Sequence, residues 1–373
     1  MSKSIGIVTF QWADNYGGLL QCYALKEFIN RMGQNAKIIN YWPQYAIENH
    51  CSRIGLISTF KEFKKLVMPN WRYMAKNFIL GRSYSTRKGS IRMDRFRNKY
   101  LLDDQVIFYS YSEIESEIKK YDIIISGSDQ IWNPNLTGKQ FDNVYFLNFQ
   151  SSILKKVAYA ASLGVTLKDE WKQRFFQLVS QYDYVSTRES SLSSLLCREL
   201  GIESRAVVDP VFLLDEKTWG EMIPERMDDS HYILLYVLQR DSNIVSIANW
   251  LTEQTQLPIR VFGAKRKYRN AKYVPEGDIL EFLFQFKNAD YILTNSFHGT
   301  AFSLIFRRRF LSFLDSQKPT RIKDLLTDVG LNERIFNGHN YSIVLEEPNY
   351  EKAMKLLDEK VHQSKDFLYS CIS

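Results

Sequence analysis

The sequence places one of its five histidines where an apolar run gives way to polar residues. In YILTNSFHGT, residues 291–300, His298 lies two residues after Ser296 and directly before Gly299 and Thr300. An imidazole titrates near neutral pH, so it can act as an acid, a base or a cation. A helix that begins here would also offer backbone N–H groups to an anion. His298 is therefore a candidate catalytic residue, and a purely structural histidine is the alternative.

A second candidate is Arg188, in the stretch STRES at residues 186–190. It lies between a predicted strand and a predicted helix. A guanidinium there is placed to hold a phosphate or carboxylate with two hydrogen bonds. On position alone, an ordinary surface arginine is an equal alternative.

The stretch SGSDQIWNP, residues 126–134, carries polar residues directly after another apolar run. A tryptophan beside polar groups suits a sugar ring, because the indole stacks on the ring while polar groups bind its hydroxyls. A structural turn is the alternative. The candidate residues are Ser128, Asp129, Trp132 and Asn133.

The loop QWADNYGG, residues 11–18, follows the first apolar run. Gly17 and Gly18 would let backbone amides approach a ligand closely at the start of a helix. The pattern is not GxGxxG, so a dinucleotide site is not predicted, and a tight connection is the alternative. Asp14 and Asn15 precede the glycines and can bind hydroxyl groups.

Strand-like and helix-like segments alternate around these four loops. IGIVTF (5–10), YDIIISG (121–127) and RAVVDPVFLL (205–214) predict buried strands, and LLQCYALKEFINRMG predicts a helix that ends at Gly33. Alternation of this kind predicts parallel sheets covered by helices on both faces. Ligands bind beyond the carboxyl ends of such strands, which is where the four loops are predicted to lie.

Two series of these segments predict two Rossmann-like domains in an α/β protein. We place the first at residues 1–225, with a basic helical excursion at 50–100, and the second at residues 226–345. The boundary falls in the polar stretch MIPERMDDS. Residues 346–373 predict a helix that packs back on the N-terminal domain.

Cysteine usage and hydropathy indicate a cytoplasmic protein. The four cysteines are far apart and form no CxxC pair, which argues against a disulfide framework and a zinc cluster. The N-terminal stretch lacks the pattern of a signal peptide, and no run of 18 uncharged apolar residues predicts a membrane span. We predict no metal and no cofactor.

The net charge of +7 is concentrated in one segment. Residues 60–100 hold twelve Lys and Arg against Glu62 and Asp94, interleaved with aromatic and aliphatic residues. The segment is either a solvated helical arm or a surface for anionic lipid or an anionic substrate. No nucleic-acid-binding motif accompanies the charge, so nucleic acid is not a predicted partner.

Taken together, the chain resembles the polysaccharide pyruvyl transferases. The resemblance spans most of residues 1–335, and its motifs occur in the family order. They are DNYGGLLQ; DIIISGSDQIWNP; STRESS followed by LGIESRAVVDPVFLL; ADYILTNSFHGTAFSLIF; and KPTRIKDLLTDVGLNERI.

The resemblance implies a GT-B-like fold with the active site in the cleft between two parallel-sheet domains. It implies phosphoenolpyruvate as the donor and a sugar diol as the acceptor, within a cell-surface polysaccharide or its lipid-linked precursor. By the family pattern, Arg188 binds the donor anion and His298 belongs to the donor site. Many members carry an arginine at the position of Ser296.

These expectations assign each loop a role. Ser296, Gly299 and Thr300 join Arg188 and His298 in binding the donor. Asp129 or Asp14 accepts a hydroxyl proton. The acceptor is expected to contact Asp14, Asn15, Gly17, Gly18, Ser128, Asp129, Trp132 and Asn133.

Two other functions fit the same sequence features. A GT-B glycosyltransferase would share the architecture but bind a nucleotide sugar. A scaffolding protein of a polysaccharide assembly complex would keep the fold and bind no donor. Binding of phosphoenolpyruvate distinguishes both from a pyruvyl transferase.

Overall fold

The structure, a computed structural model, describes residues 2–48, 92–103, 106–150, 154–225, 230–239, 241–263, 268, 271–274, 278–314 and 320–373. It divides into two compact units. The first comprises Met1–Leu163 and Leu167–Asp183, and the second comprises Gly164–Thr166 and Tyr184–Ser373. The predicted boundary between residues 225 and 226 lies inside the second unit.

The first unit contains a parallel sheet with the strand order β2-β1-β3-β4. Its described elements are β1 (Ser4–Val8), α1 (Tyr16–Arg31), β2 (Asn35–Ile38), a π-helix (Arg97–Leu101), α2 (Tyr111–Glu117), a 3₁₀ turn (Ile118–Lys120), β3 (Ile123–Asp129), β4 (Lys155–Ala161) and α3 (Asp169–Val179). In β3 both faces are buried as far as Ser128, as expected for a parallel strand covered by helices.

The second unit contains a five-stranded parallel sheet with the order β11-β10-β7-β8-β9, and a parallel pair formed by β5 and β6. Its strands are β5 (Tyr184–Thr187), β6 (Ser204–Ala206), β7 (Ile233–Tyr236), β8 (Ile259–Phe262), β9 (Ala271–Val274), β10 (Tyr291–Thr294) and β11 (Arg309–Ser312). Its α-helices are α4 (Ser190–Leu200), α5 (Glu216–Glu221), α6 (Ser242–Thr255), α7 (Ile279–Asn288), α8 (Phe297–Ile305), α9 (Thr320–Asp328) and α10 (Tyr350–Ile372). The described part of the unit also contains 3₁₀ helices at Pro210–Leu213, Asn332–Arg334 and Tyr341–Leu345.

The sheet core of the second unit is built from β-branched and leucine side chains. Ile233, Leu235, Leu293 and Leu311 are among its buried residues. Full burial of one such side chain contributes about 1.5–3 kcal/mol, so the sheet is a rigid base for the loops at its strand ends.

Beyond Ala206 the prediction of a continuous strand at residues 205–214 is wrong. The chain instead forms the 3₁₀ helix Pro210–Leu213. Pro210 has no backbone N–H for a strand ladder, and its fixed φ suits the first position of a helix. The Asp209 side chain accepts a hydrogen bond from the Val211 N–H, which caps this helix.

Helix α10 packs within the second unit, against the segment that contains this 3₁₀ helix. The Val208 N–H donates to Ser364 Oγ at 3.0 Å. Among the described residues, no helix is long and apolar enough to cross a membrane.

Candidate active site

The junction between β10 and α8 is built around the side chain of Ser296. Strand β10 ends at Thr294, and α8 begins at Phe297 with Ser296 as its N-cap. The Ser296 hydroxyl accepts a hydrogen bond from the Gly299 N–H at 3.3 Å. The predicted donor-binding residue Ser296 is therefore engaged in starting the helix.

Gly299 is required by the close approach of α8 to the end of β10. A Cβ added at Gly299 would lie 2.3 Å from Thr294 Oγ1, which is a severe overlap. The Thr294 hydroxyl cannot swing away freely, because it donates to the Tyr236 carbonyl at 2.7 Å. Only glycine lets the first turn of α8 lie this close to the strand.

Thr300 is buried, and its hydroxyl bonds inside the unit. It donates to the Ser296 carbonyl at 3.1 Å and lies 2.8 Å from Ser312 Oγ. The side chain thus ties α8 to β10 and β11. The whole residue is 0% exposed, and the contact of Thr300 with the donor stays a prediction.

Arg188 and His298 meet on a third residue, Asp209. Arg188 Nη2 lies 3.1 Å from Asp209 Oδ2, and His298 Nε2 lies 3.6 Å from the same oxygen. The side chains of Arg188, Asp209 and His298 are 4%, 0% and 9% exposed. One buried carboxylate therefore faces two groups that can carry positive charge.

Each residue of this cluster lies at the end of a strand or at the start of a helix, which fixes the position of its backbone. Arg188 comes directly after β5, Asp209 lies between β6 and the 3₁₀ helix that it caps, and His298 is the second residue of α8. The cluster therefore joins the β5–β6 pair to the five-stranded sheet that contains β10, and it brings together residues far apart in sequence.

The electrostatics of the cluster favour an ionised Asp209. Burial by itself raises the pKa of this carboxyl group, but the charge of Arg188 and the interaction with His298 lower the pKa to about 2. An opposite charge within a few ångströms stabilises the charged form of a group. Asp209 is consequently an anion at neutral pH.

A cavity of about 50 Å³ adjoins the cluster, and Phe297 forms part of its wall. The Arg188 Cζ lies 5.3 Å from the centroid of the Phe297 ring, and the Arg321 Cζ lies 5.7 Å from the same centroid. Such distances allow cation–π attraction. The cavity therefore holds two arginines on one aromatic ring.

Sequence reasoning missed Asp209 and Arg321. Asp209 stands in RAVVDPVFLL, where the Asp-Pro pair is a recognisable signal for a capped turn rather than for a strand. Arg321 belongs to KPTRIKDLL, which carried the resemblance but was given no role. Its position at the start of a helix offered no chemical signal.

In the first unit, the predicted acceptor residues of two loops come together. Asn15 caps α1 by accepting a hydrogen bond from the Gly18 N–H, and Gly17 lies in the first turn. A Cβ at Gly18 would lie 3.5 Å from Asp129 Oδ2. The loop after β1 and the end of β3 are thus neighbours, as the strand order requires.

Ser128 and Asp14 have their polar groups engaged in this unit. The Ser128 N–H donates to Gln21 Oε1, and its hydroxyl donates to the Ala160 carbonyl. The Asp14 carboxylate lies 2.6 Å from Arg97 Nη2, and both side chains are buried. A proton-accepting role for Asp14 would have to compete with this ion pair, so Asp129 is the better candidate base.

The predicted role of Trp132 as a surface for a sugar ring is wrong. Its side chain is 0% exposed and stacks on Phe146, with ring centroids 5.4 Å apart. Asn133 is also buried and donates to Gln130 Oε1. Both side chains stabilise the loop from inside, so contact with an acceptor is contradicted for them.

Most of the basic segment, residues 60–91, lies outside the described residues. In the part that is described, Arg97 is buried and holds Asp14 and Asp94. This arginine therefore does not contribute to a lipid-binding surface. Peripheral membrane contact by the rest of the segment stays a prediction.

A match to a family model shows which protein family the chain belongs to. The model described as polysaccharide pyruvyl transferase matches residues 15–316. The chain belongs to the polysaccharide pyruvyl transferase family. The match includes Arg188, Asp209 and His298, and it ends before α9. A comparison with curated proteins gave no match.

Solved structures with a similar fold include proteins bound to UDP-GlcNAc or UDP. The UDP-GlcNAc 2-epimerase from Neisseria meningitidis is 8% identical, with a TM-score of 0.55 and 99% of both chains covered. The S. aureus MnaA protein, solved with UDP, is 12% identical, with a TM-score of 0.51, 98% of this chain covered and 90% of that one. At such low identity the similarity shows the fold alone. The protein has a GT-B-like fold with two parallel-sheet α/β domains.

Proposed function

We propose that this protein transfers pyruvate from phosphoenolpyruvate to two hydroxyls of one sugar, forming a cyclic ketal. The acceptor would be a cell-surface polysaccharide or its lipid-linked precursor. The observation that carries this proposal is the convergence of Arg188 and His298 on the buried carboxylate of Asp209, in a member of this family.

Arg188 and the first turn of α8 are proposed to bind the donor. Phosphoenolpyruvate carries about three negative charges near neutral pH, so a guanidinium and the positive end of a helix both favour it. Asp209 holds the guanidinium in place. Because Asp209 is ionised, it also limits binding to ligands whose anionic groups approach from the other side of Arg188.

His298 is proposed to supply the proton that starts the reaction. In its protonated form it would donate to the methylene carbon of the donor, and positive character would develop at C2. One sugar hydroxyl attacks C2, phosphate leaves, and the second hydroxyl closes the ketal. Of the two hydroxyl protons released, one replaces the proton given to the methyl group and the other leaves with phosphate, so the products are the ketal and hydrogen phosphate.

Asp129, in the first unit, is the proposed acceptor of a hydroxyl proton. Its side chain is half-buried beside Gly18, at the end of β3. General base catalysis by a carboxylate needs hydrogen-bond contact with the reacting hydroxyl. The proposed reaction needs no metal and no cofactor besides the donor.

A thermal-shift titration with phosphoenolpyruvate, beside UDP, GDP and CMP, tests the proposal. A ligand that binds only the native state raises stability by about 2.7 kcal/mol at a hundredfold excess over Kd. We expect phosphoenolpyruvate alone to raise the melting temperature, and Arg188→Lys to reduce the shift. Arg205 of β6 is exposed and gives a matched control, since Arg205→Lys should leave the thermal shift with phosphoenolpyruvate unchanged.

Catalysis by His298 is tested separately from binding. His298→Gln should retain the thermal shift but lose release of phosphate from phosphoenolpyruvate in the presence of methyl hexopyranosides. A thermal shift with a nucleotide but none with phosphoenolpyruvate would overturn the proposal in favour of a nucleotide-sugar glycosyltransferase. No shift with any of the four would instead favour a scaffolding role.

A further inference from the structure

Helix α9 brings a second arginine to the cavity beside Asp209. We infer that Arg321 is a donor-binding residue, whose guanidinium binds the anionic group of phosphoenolpyruvate that Arg188 does not hold. The inference rests on the proposed function. It adds a contact from a part of the chain that lies beyond the family match.

The Phe297 ring connects Arg321 to the catalytic cluster. This ring precedes His298 in α8, and the two rings have their centroids 5.2 Å apart. Arg188 and Arg321 both lie against Phe297, with Cζ atoms 5.3 and 5.7 Å from its centroid. Both arginines also line the same cavity. A small dianionic or trianionic ligand that enters this cavity therefore has both arginines in the wall around it.

The position of Arg321 is fixed by the packing of α9. Ile322 and Leu326 are buried under the helix, whereas Arg321, Asp324 and Asp328 line the cavity. This arrangement follows from helical periodicity, since residues three and seven positions apart share one face. Arg321 is thus presented by a helix face rather than by a loop.

Helix α10 contacts α9 at the cavity itself. Lys360 of α10 lies 3.0 Å from Asp328 of α9, and Leu357 shares the wall of the same cavity. A cation on a packed helix needs little reordering to bind an anion, which favours affinity.

The charges around the cavity explain why one arginine is insufficient. Four carboxylates line the cavity, those of Glu189, Asp209, Asp324 and Asp328. Of the three cations in the lining, Arg188 faces Asp209 and Lys360 faces Asp328. A donor with about three negative charges would meet repulsion there unless further cations take part. Arg321 supplies such a cation, in the bidentate form that suits phosphate and carboxylate.

The test is calorimetric titration of the full chain with phosphoenolpyruvate. Arg321→Ala should weaken binding about tenfold or more, because a hydrogen-bonded charge pair is lost. Arg321→Lys should weaken it by less, because charge is kept and the planar fork is lost. Lys323 lies on the exposed side of the same helix, so Lys323→Ala removes an equal charge and should leave the affinity within twofold.

The outcomes separate the inference from the proposed function. Wild-type affinity in Arg321→Ala, with binding lost in Arg188→Lys, overturns the role of Arg321 and keeps the proposed function. Equal losses in Arg321→Ala and Lys323→Ala show a general charge effect and also overturn it. Absence of binding by the wild-type chain overturns both. If Arg321→Ala does not fold, Arg321→Lys decides, and wild-type affinity in that variant counts against the guanidinium.

Discussion

Asp209→Asn removes the negative charge on which Arg188 and His298 meet and leaves the size of the side chain unchanged. The Arg188 guanidinium, only 4% exposed, then loses the carboxylate at 3.1 Å. Breaking a buried ion pair from one side costs about 3–5 kcal/mol, because a charge stays buried without compensation. The pKa of Asp209 gives a second measure. Its fall from 3.8 to about 2 corresponds to a net stabilisation of the carboxylate by about 2 kcal/mol, after the cost of burial.

Urea unfolding followed by fluorescence and circular dichroism measures this loss. Trp219 is one of seven tryptophans that contribute to the fluorescence, and it is buried and donates to the Val211 carbonyl, two residues from Asp209. Asp215→Asn is the matched control. Asp215 also caps a helix, but its residue is exposed and asparagine caps almost as well, so the free energy of unfolding should change by less than about 0.5 kcal/mol.

Removing the second charge should restore stability. Arg188→Met in the Asp209→Asn background replaces the whole ion pair by uncharged groups, which is often close to neutral. We expect the double variant to recover most of the loss. If Asp209→Asn is as stable as the Asp215→Asn control, the reasoning about the buried cluster is refuted.

Three further predictions test the geometry. Because the folded pKa of Asp209 lies below its unfolded value, the contribution of Asp209 to stability is present above pH 4 and disappears as the pH falls towards 2. The free energy of unfolding of the wild type should therefore drop by about 2 kcal/mol more than that of Asp209→Asn between these pH values. Urea titrations at each pH measure both, and parallel curves for the two proteins would contradict the prediction. Gly299→Ala should destabilise the protein by about 1–3 kcal/mol because its Cβ overlaps Thr294, whereas Gly18→Ala meets no atom closer than 3.5 Å and should be tolerated in the same unfolding assay. Trp132→Ala should lower the free energy of unfolding by about 3–5 kcal/mol through a core cavity, and a loss of acceptor affinity without loss of stability would restore the stacking role.

The strand and helix pattern was predictable because it depends on local periodicity. IGIVTF and YILTNS became β1 and β10, and the helix predicted to end at Gly33 became α1. The prediction of a strand at residues 205–214 overlooked the Asp-Pro pair at residues 209–210, because the apolar residues around this pair dominated the pattern. Local capping chemistry decided that segment.

The motifs also determined the family, and they marked Arg188 and His298 as candidates before any contact was known. Their partner was decided by tertiary structure alone. Asp209 joins them because the ends of β5, β6 and β10 bring together residues that are far apart in the chain. The burial of individual side chains could likewise not be predicted from the sequence. A tryptophan among polar residues gives the same sequence pattern whether its side chain contacts a ligand or packs in the core. Only the packing of Phe146 against Trp132 shows that this tryptophan belongs to the core.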